Sequence, residues 1–246
     1  MNKTIWITWF QGWDSAPEIC QYCLRSWEQY NPDWKIVKLD SSNYRDYVDI
    51  ESVLPGVETN LTAFSDVLRL FLLKEYGGVW ADATLFCNRS LSTWVPGVKD
   101  AFLFTRPDIM VTSWFIAAHN NSYIVDKWYG VLVEYWKERL KGNDRHKGNY
   151  SWVHALFRDA YRDDTLFRNF FDQEIKIDAS CYMDRRGKGP HLFTPYEHFP
   201  HQLISNPLKN RILSQKDPAY KLTYKISDQW KKPGTELDFL FGTLQS

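Results

Sequence analysis

The run from Asn60 to Phe86, NLTAFSDVLRLFLLKEYGGVWADATLF, constrains the fold more than any other stretch of the chain. At about 100° per residue it places Leu61, Phe64, Val67, Leu68, Phe71 and Leu72 on one broad apolar face, with Thr62, Asp66 and Arg69 gathered opposite. Gly77 and Gly78 stop that helix, because glycine reaches backbone conformations closed to other residues. They release the chain into an apolar strand, VWADATLF, and a helix joined so tightly to a strand is one step of a layered α/β domain. Asp82 falls in the middle of this strand. A buried carboxylate there must be ion-paired, hydrogen-bonded or bound to a metal. The plainer alternatives are a capping aspartate at a strand end for Asp82 and, for Asp66 with Arg69, an exposed ion pair worth roughly 0.2–0.5 kcal/mol.

The flanking sequence extends the layered pattern. TIWITWF reads as a buried first strand, GWDSAP as a turn, the segment from Pro17 to about Tyr30 as a helix and WKIVKLD as the next strand. Strand, helix, strand is the opening of a nucleotide-binding α/β sheet, in which ligands sit at the carboxyl ends of the strands. Further on, AFLFT and TSWFIAA read as strands, with helices from about Ser122 to Leu140 and over SWVHALFRDAYR. A basic loop, DRRGKGPH, leads to short segments ending in YKLTYK. The 246 residues, 44% of them hydrophobic, suffice for one large α/β domain over 1–246.

Composition narrows the ligand classes. A formal net charge of zero argues against a nucleic-acid partner, which would call for a strongly basic face. An aromatic content of 17% fits either bulky core filling or stacking against the flat faces of sugars and nucleobases. Cys20, Cys23, Cys87 and Cys181 are too few and irregular for a disulfide scaffold, so a reducing compartment is expected and the Cys20-x-x-Cys23 pair is read as buried small hydrophobes. The N-terminal apolar run is too short for a signal peptide and no later run approaches membrane-spanning length, so the expected location is cytoplasmic. The Asn-x-Ser/Thr triplets at Asn60 and Asn120 match a pattern common by chance.

FSDVLRLFLLKEYGGVWADATLF, preceded by KTIWITWFQGWDSAPEICQYCLRSWEQYNPDWKI, resembles the capsular polysaccharide synthesis family of glycosyltransferases, relatives of the transferases that carry an Asp-x-Asp motif. The likeness is good to about residue 90 and thins beyond TSWFIAAHNNSYIVDKW. It implies a GT-A type, Rossmann-like α/β domain with a mixed central sheet. Residues 1 to about 120 would form the donor-binding half, and about 121–246 the acceptor side and tail. The implied reaction moves a hexose from a nucleotide sugar, a uridine diphosphate donor by analogy with relatives, to a hydroxyl of a capsule or other surface polysaccharide intermediate, a saccharide or lipid-linked saccharide, with retention of configuration.

That resemblance also implies roles. Asp66 would accept hydrogen bonds from donor hydroxyls, Arg69 would reach the sugar or diphosphate, Asp82 would hold ribose or a metal, and Trp9 with Gly12 would frame the base. Thr84 departs from the pattern, because relatives commonly have a second aspartate there. A divalent Mn2+ or Mg2+ held by Asp82 and Thr84 is expected nonetheless, since magnesium is often bound by one or two carboxylates plus substrate phosphates. The alternative is that Lys221, standing where relatives tend to offer a late metal ligand, neutralises the diphosphate itself. His198 and His201 are further candidate ligands, though structural histidines explain them more simply, and Arg185, Arg186 and Lys188 form either a solvated turn or a lid. Peripheral membrane contact through YIVDKWYGVLVEYWKERL competes with core packing of the same helix. A toxin-like protein-modifying transferase and a non-enzymatic carbohydrate-binding module are the rival readings.

Overall fold

Side-chain alternation along the strands fixes which face of the central sheet each helix covers. The computed structural model describes residues 1–57, 60–106, 110–179, 202–226 and 228–244. In chain order its elements are β1 (Thr4–Thr8), α1 (Glu18–Tyr30), β2 (Lys35–Leu39), α2 (Ile50–Val53), α3 (Leu61–Tyr76), β3 (Gly78–Ala81), β4 (Leu85–Cys87), β5 (Ala101–Arg106) and β6 (Met110–Ala118). Then follow α4 (Tyr123–Leu140), α5 (Trp152–Asp163), α6 (Thr165–Asp172), α7 (Asn206–Leu213), β7 (Ala219–Lys221) and α8 (Glu236–Gly242). Five strands form one sheet in the order β2-β1-β3-β6-β5. β1 runs parallel to both β2 and β3, whereas β6 runs antiparallel to β3 and β5, so the sheet is mixed as expected.

Trp6, Leu39, Trp80, Leu103 and Ile116 point to one side, into a core shared with α3, α4 and α5. Ile5, Ile7, Val79, Phe102 and Phe115 alternate with them and point to the other, onto α1. Among the described residues no helix is long and apolar enough to cross a membrane. Helix α4 buries Trp128, Tyr135 and Trp136 in the first core, with Tyr123 and Tyr129 partly buried against it, so packing accounts for these aromatic residues. Cys20, Cys23 and Cys87 are buried and unlinked, and burial pushes the thiols of Cys20 and Cys87 up to about 12.

Two readings of the central run need correction. VWADATLF is two strands in different sheets: β3 joins the central sheet through Ala81 opposite Phe115, whereas β4 pairs with β7, Leu85 opposite Lys221. A turn closed by the Leu85 N–H on the Asp82 carbonyl (2.9 Å) separates them. Asp82 therefore lies just past the carboxyl end of β3, not in the middle of a strand. On α3, Leu61 is 49% exposed and lines the cleft rather than joining the apolar face expected of it, while Asp66 and Arg69, on the opposite face as expected, are each only 5% exposed, which rules out the plainer reading of an exposed ion pair. The polar side of the helix faces a cleft and β6, so the ion pair is an interior one.

Local chemistry explains the ends of α3. Asn60 accepts hydrogen bonds from the N–H groups of Thr62 and Ala63, satisfying donors that a helix start leaves open. At the other end Gly77 (φ +64°) and Gly78 (φ +95°) take left-handed conformations, and a Cβ on Gly78 would come 2.5 Å from the Thr4 carbonyl oxygen. This glycine pair lets β3 lie directly against β1 and carries Asp82 to the edge of the sheet where the cleft opens.

Candidate functional site

The cleft has a volume of about 460 Å³, within the range usual for small-molecule sites. Thr8 and Trp9 at the end of β1, Asp66 and Arg69 from α3, Asp82 and Thr84 after β3, and Lys221 from β7 all line it. The carboxyl ends of two parallel strands thus supply one wall, as ligand sites of such sheets require.

Arg69 organises the floor. Its Nη1 donates to the Ser113 carbonyl (2.8 Å) and lies 3.2 Å from Asp66 Oδ1. Its Nη2 donates to the Ser65 hydroxyl (3.1 Å) and stands 3.6 Å from Asp82 Oδ1, while Nε reaches the Ser65 carbonyl at 3.2 Å. Beneath it, Trp80 presents its ring 5.2 Å from the guanidinium carbon and donates its indole N–H to Asp82 Oδ1 (3.0 Å). The remaining oxygen of Asp82, Oδ2, is 3.3 Å from the Lys221 ammonium, which also donates to the Thr84 hydroxyl.

The two carboxylates are tuned in opposite directions. Burial lifts the Asp66 carboxyl to about 6, an effect that Arg69 opposes and Asp82 reinforces. Burial also acts upward on Asp82, but Lys221, Arg69 and the Trp80 indole together hold its carboxyl below the ordinary range. Asp82 therefore stays ionised near neutral pH, whereas Asp66 changes charge only slightly below it. Opposed shifts of this kind within one cleft are a mark of a functional site.

Three polar atoms in the cleft wall, Thr8 Oγ1, Trp9 Nε1 and Thr112 Oγ1, are buried with no hydrogen-bond partner among the described residues. Buried polar atoms are normally satisfied, so their concentration here fits a wall built to meet a polar ligand. Trp9 stands edge-on to Tyr224 at 5.1 Å. Gly12 is not part of the wall: its φ of +90° turns the chain into the Trp13–Ser15 helical turn, and Gln11 lines the cleft instead. The exposed side chains of Leu61, Tyr150 and Tyr224 rim the cleft, which Arg106 and His154 also line. His198, His201 and the basic loop of Arg185, Arg186 and Lys188 lie outside the described residues.

Sequence reasoning named the charged floor but missed Ser65, Trp80 and Ser113. Trp80 carried a usable signal, since a residue two positions before Asp82 on a strand shares its side of the sheet. Ser113 acts through its backbone carbonyl and carried none.

A family model described as capsular polysaccharide synthesis protein matches residues 1–240, far beyond the segment up to about residue 90 that carries the clearest motifs. The chain is 28% identical over 171 residues to the O-glycosyltransferase braB of Annulohypoxylon truncatum, a match covering 59% of this chain and 40% of that protein. It is also 28% identical over 159 residues to the glycosyltransferase afumC of Aspergillus fumigatus, covering 55% of this chain and 41% of the relative. The alignments thus span about two fifths of the length of these curated relatives. Among solved structures, the PaToxG glycosyltransferase superposes with a TM-score of 0.47 at 16% identity, covering 69% of this chain and 73% of that one.

Proposed function

The chain belongs to the capsular polysaccharide synthesis protein family, and on that premise we propose that it is a glycosyltransferase that moves a hexose from a uridine diphosphate donor to a hydroxyl of a surface polysaccharide intermediate. The observation that carries this reading is the convergence of Asp66, Arg69, Asp82 and Lys221 in one cleft at the carboxyl ends of β1 and β3. Cleaving the sugar from its diphosphate leaves negative charge on the departing oxygen and positive character on the anomeric carbon. The site must present cations to the first and oxygens to the second.

In this reading Arg69 and Lys221 face the diphosphate, Asp66 accepts hydrogen bonds from the donor sugar, and Asp82 holds Arg69 and Lys221 in place while accepting from ribose. Trp9 forms the wall for the base. Both carboxylates of the described floor are already engaged with cations, which leaves neither as an evident nucleophile. Retention then follows a same-face path: the anomeric C–O bond breaks with its electron pair going to the diphosphate, the acceptor oxygen bonds to that carbon, and the acceptor proton passes to a donor phosphate oxygen. The name of the relative braB, an O-glycosyltransferase, supports a hydroxyl acceptor.

A thermal-shift panel of UDP, GDP and CMP sugars tests the reading, because a donor that binds only the folded chain raises its melting temperature by mass action. The expected result is a rise with UDP sugars that is lost in Asp82→Asn. No shift with any nucleotide sugar would count against it.

A further inference from the structure

We propose that the Lys221 ammonium stands in for a divalent cation in this cleft, so that the chain engages the diphosphate of its donor without a metal ion. The inference rests on the reading of the cleft as a nucleotide-sugar site and specifies how that site balances charge.

The residues marked by sequence as metal ligands do not fit a resident metal, because they already share one cation. Lys221 Nζ lies 3.3 Å from Asp82 Oδ2 and donates to the Thr84 hydroxyl. The other oxygen of Asp82 accepts from the Trp80 indole at 3.0 Å and faces Arg69 Nη2 at 3.6 Å. A divalent ion placed against either oxygen would crowd a positive charge.

Charge matching explains the threonine. Two carboxylates in the turn after β3 would present two negative charges, which suits a divalent ion. Asp82 with the neutral Thr84 presents one, which a single ammonium balances. The backbone then fixes the position of that ammonium: Lys221 is registered opposite Leu85, and the Leu222 N–H donates to the Thr84 carbonyl at 2.8 Å. The side chain is 18% exposed and lines the cleft. Among the described residues its partners occupy two of the three N–H donors of an ammonium, leaving the third for a phosphate oxygen. Lysine binds phosphate in this manner, as a compact point charge.

Isothermal titration with inorganic pyrophosphate separates the alternatives, since it presents the diphosphate without base or sugar. Wild-type chain in EDTA is expected to bind it, and Lys221→Met, which keeps the apolar stem and removes the charge, is expected to weaken binding by about tenfold or more. Lys221→Arg, which keeps the charge, is expected to retain most of the affinity and guards against a folding defect in the methionine variant. Absence of binding in EDTA that returns on adding Mn2+ would overturn the proposal, as would unchanged affinity in a folded Lys221→Met chain. Failure of the functional reading looks different. Pyrophosphate binding in chelator with no nucleotide sugar ever turned over would remove the transferase and leave the lysine assignment standing, whereas donor turnover only with Mn2+ would do the reverse.

Discussion

Arg69 contacts Asp66, Asp82, Ser65 and Ser113 at once, which requires the planar, five-donor fork of a guanidinium. Arg69→Lys keeps the charge and loses the fork. We expect a folded protein whose donor turnover falls by roughly 10²-fold, as when one oriented donor is removed from a charge-stabilising site; equal kcat/KM for the two would show that the fork has no part in catalysis. Asp66 supplies a test in pH. Its carboxyl sits at about 6 against an ordinary 3.8, chiefly through burial. Between those values the folded chain keeps a proton that the unfolded chain has released, so this group makes stability fall as pH rises through the window. Its full penalty, roughly 3 kcal/mol for a shift of this size, is felt above pH 6 and vanishes below the unfolded value. Asp66→Asn removes the titration, so its melting temperature relative to wild type is expected to climb between pH 4 and 7. A difference independent of pH would return Asp66 to an ordinary carboxyl. Activity should move the other way in wild type, falling below pH 6 as the oxygen acceptor for the donor sugar becomes protonated.

At the scale of elements, long periodic segments were legible in the sequence. Helices α1, α3 and α4 and strands β1, β2, β5 and β6 carry enough turns or alternations to declare themselves. The run VWADATLF was misread as one strand because a continuous apolar stretch has no internal marker of where its partner changes. Its second half leaves the central sheet to pair with β7, and only tertiary contact with that distant segment decides the break. Helices α7 and α8 were passed over although both carry local start signals. Ser205 accepts from the Leu208 N–H ahead of Pro207, and Thr235 accepts from the Asp238 N–H while Asp238 reaches back to Gly234. The junction between α3 and β3 is testable by glycine replacement. Gly78→Ala forces a Cβ against the Thr4 carbonyl at a φ of +95° and is expected to destabilise by about 2–4 kcal/mol. Gly130→Ala, with open space around it in the middle of α4, should stabilise by about 0.5–1 kcal/mol. Chemical denaturation of both variants checks the pair, and a neutral Gly78→Ala would mean that the close approach of β3 to β1 does not depend on glycine.

Across the whole molecule, residues from β1, α3, the turn after β3 and β7 meet in a single cleft, so the last third of the chain enters the floor that the first third builds. That return was legible only as far as Lys221 itself. The sequence offered no sign that the Trp27 indole would donate to the Leu85 carbonyl, or that the β4–β7 pair would rest against α1 and α8 through Phe86 and Tyr220. Lys221, which arises beyond residue 121, reaches back to Asp82 in the first 120 residues. Charged floor residues were readable because their types and spacing sit in one motif. The mouth of the cleft was not, because Leu61, Tyr150 and Tyr224 come from separate segments with no shared pattern. The most direct test of the cleft as a nucleotide-sugar site compares wild type with Asp82→Asn, an exchange that deletes a charge and nearly preserves shape. Release of nucleoside diphosphate from a panel of UDP-hexoses is measured for both, beside their melting temperatures. The expected result is turnover of a UDP-hexose by wild type and a loss of about 10²-fold or more in a folded Asp82→Asn chain; no turnover of any donor by wild type, or equal turnover by the folded variant, would contradict it.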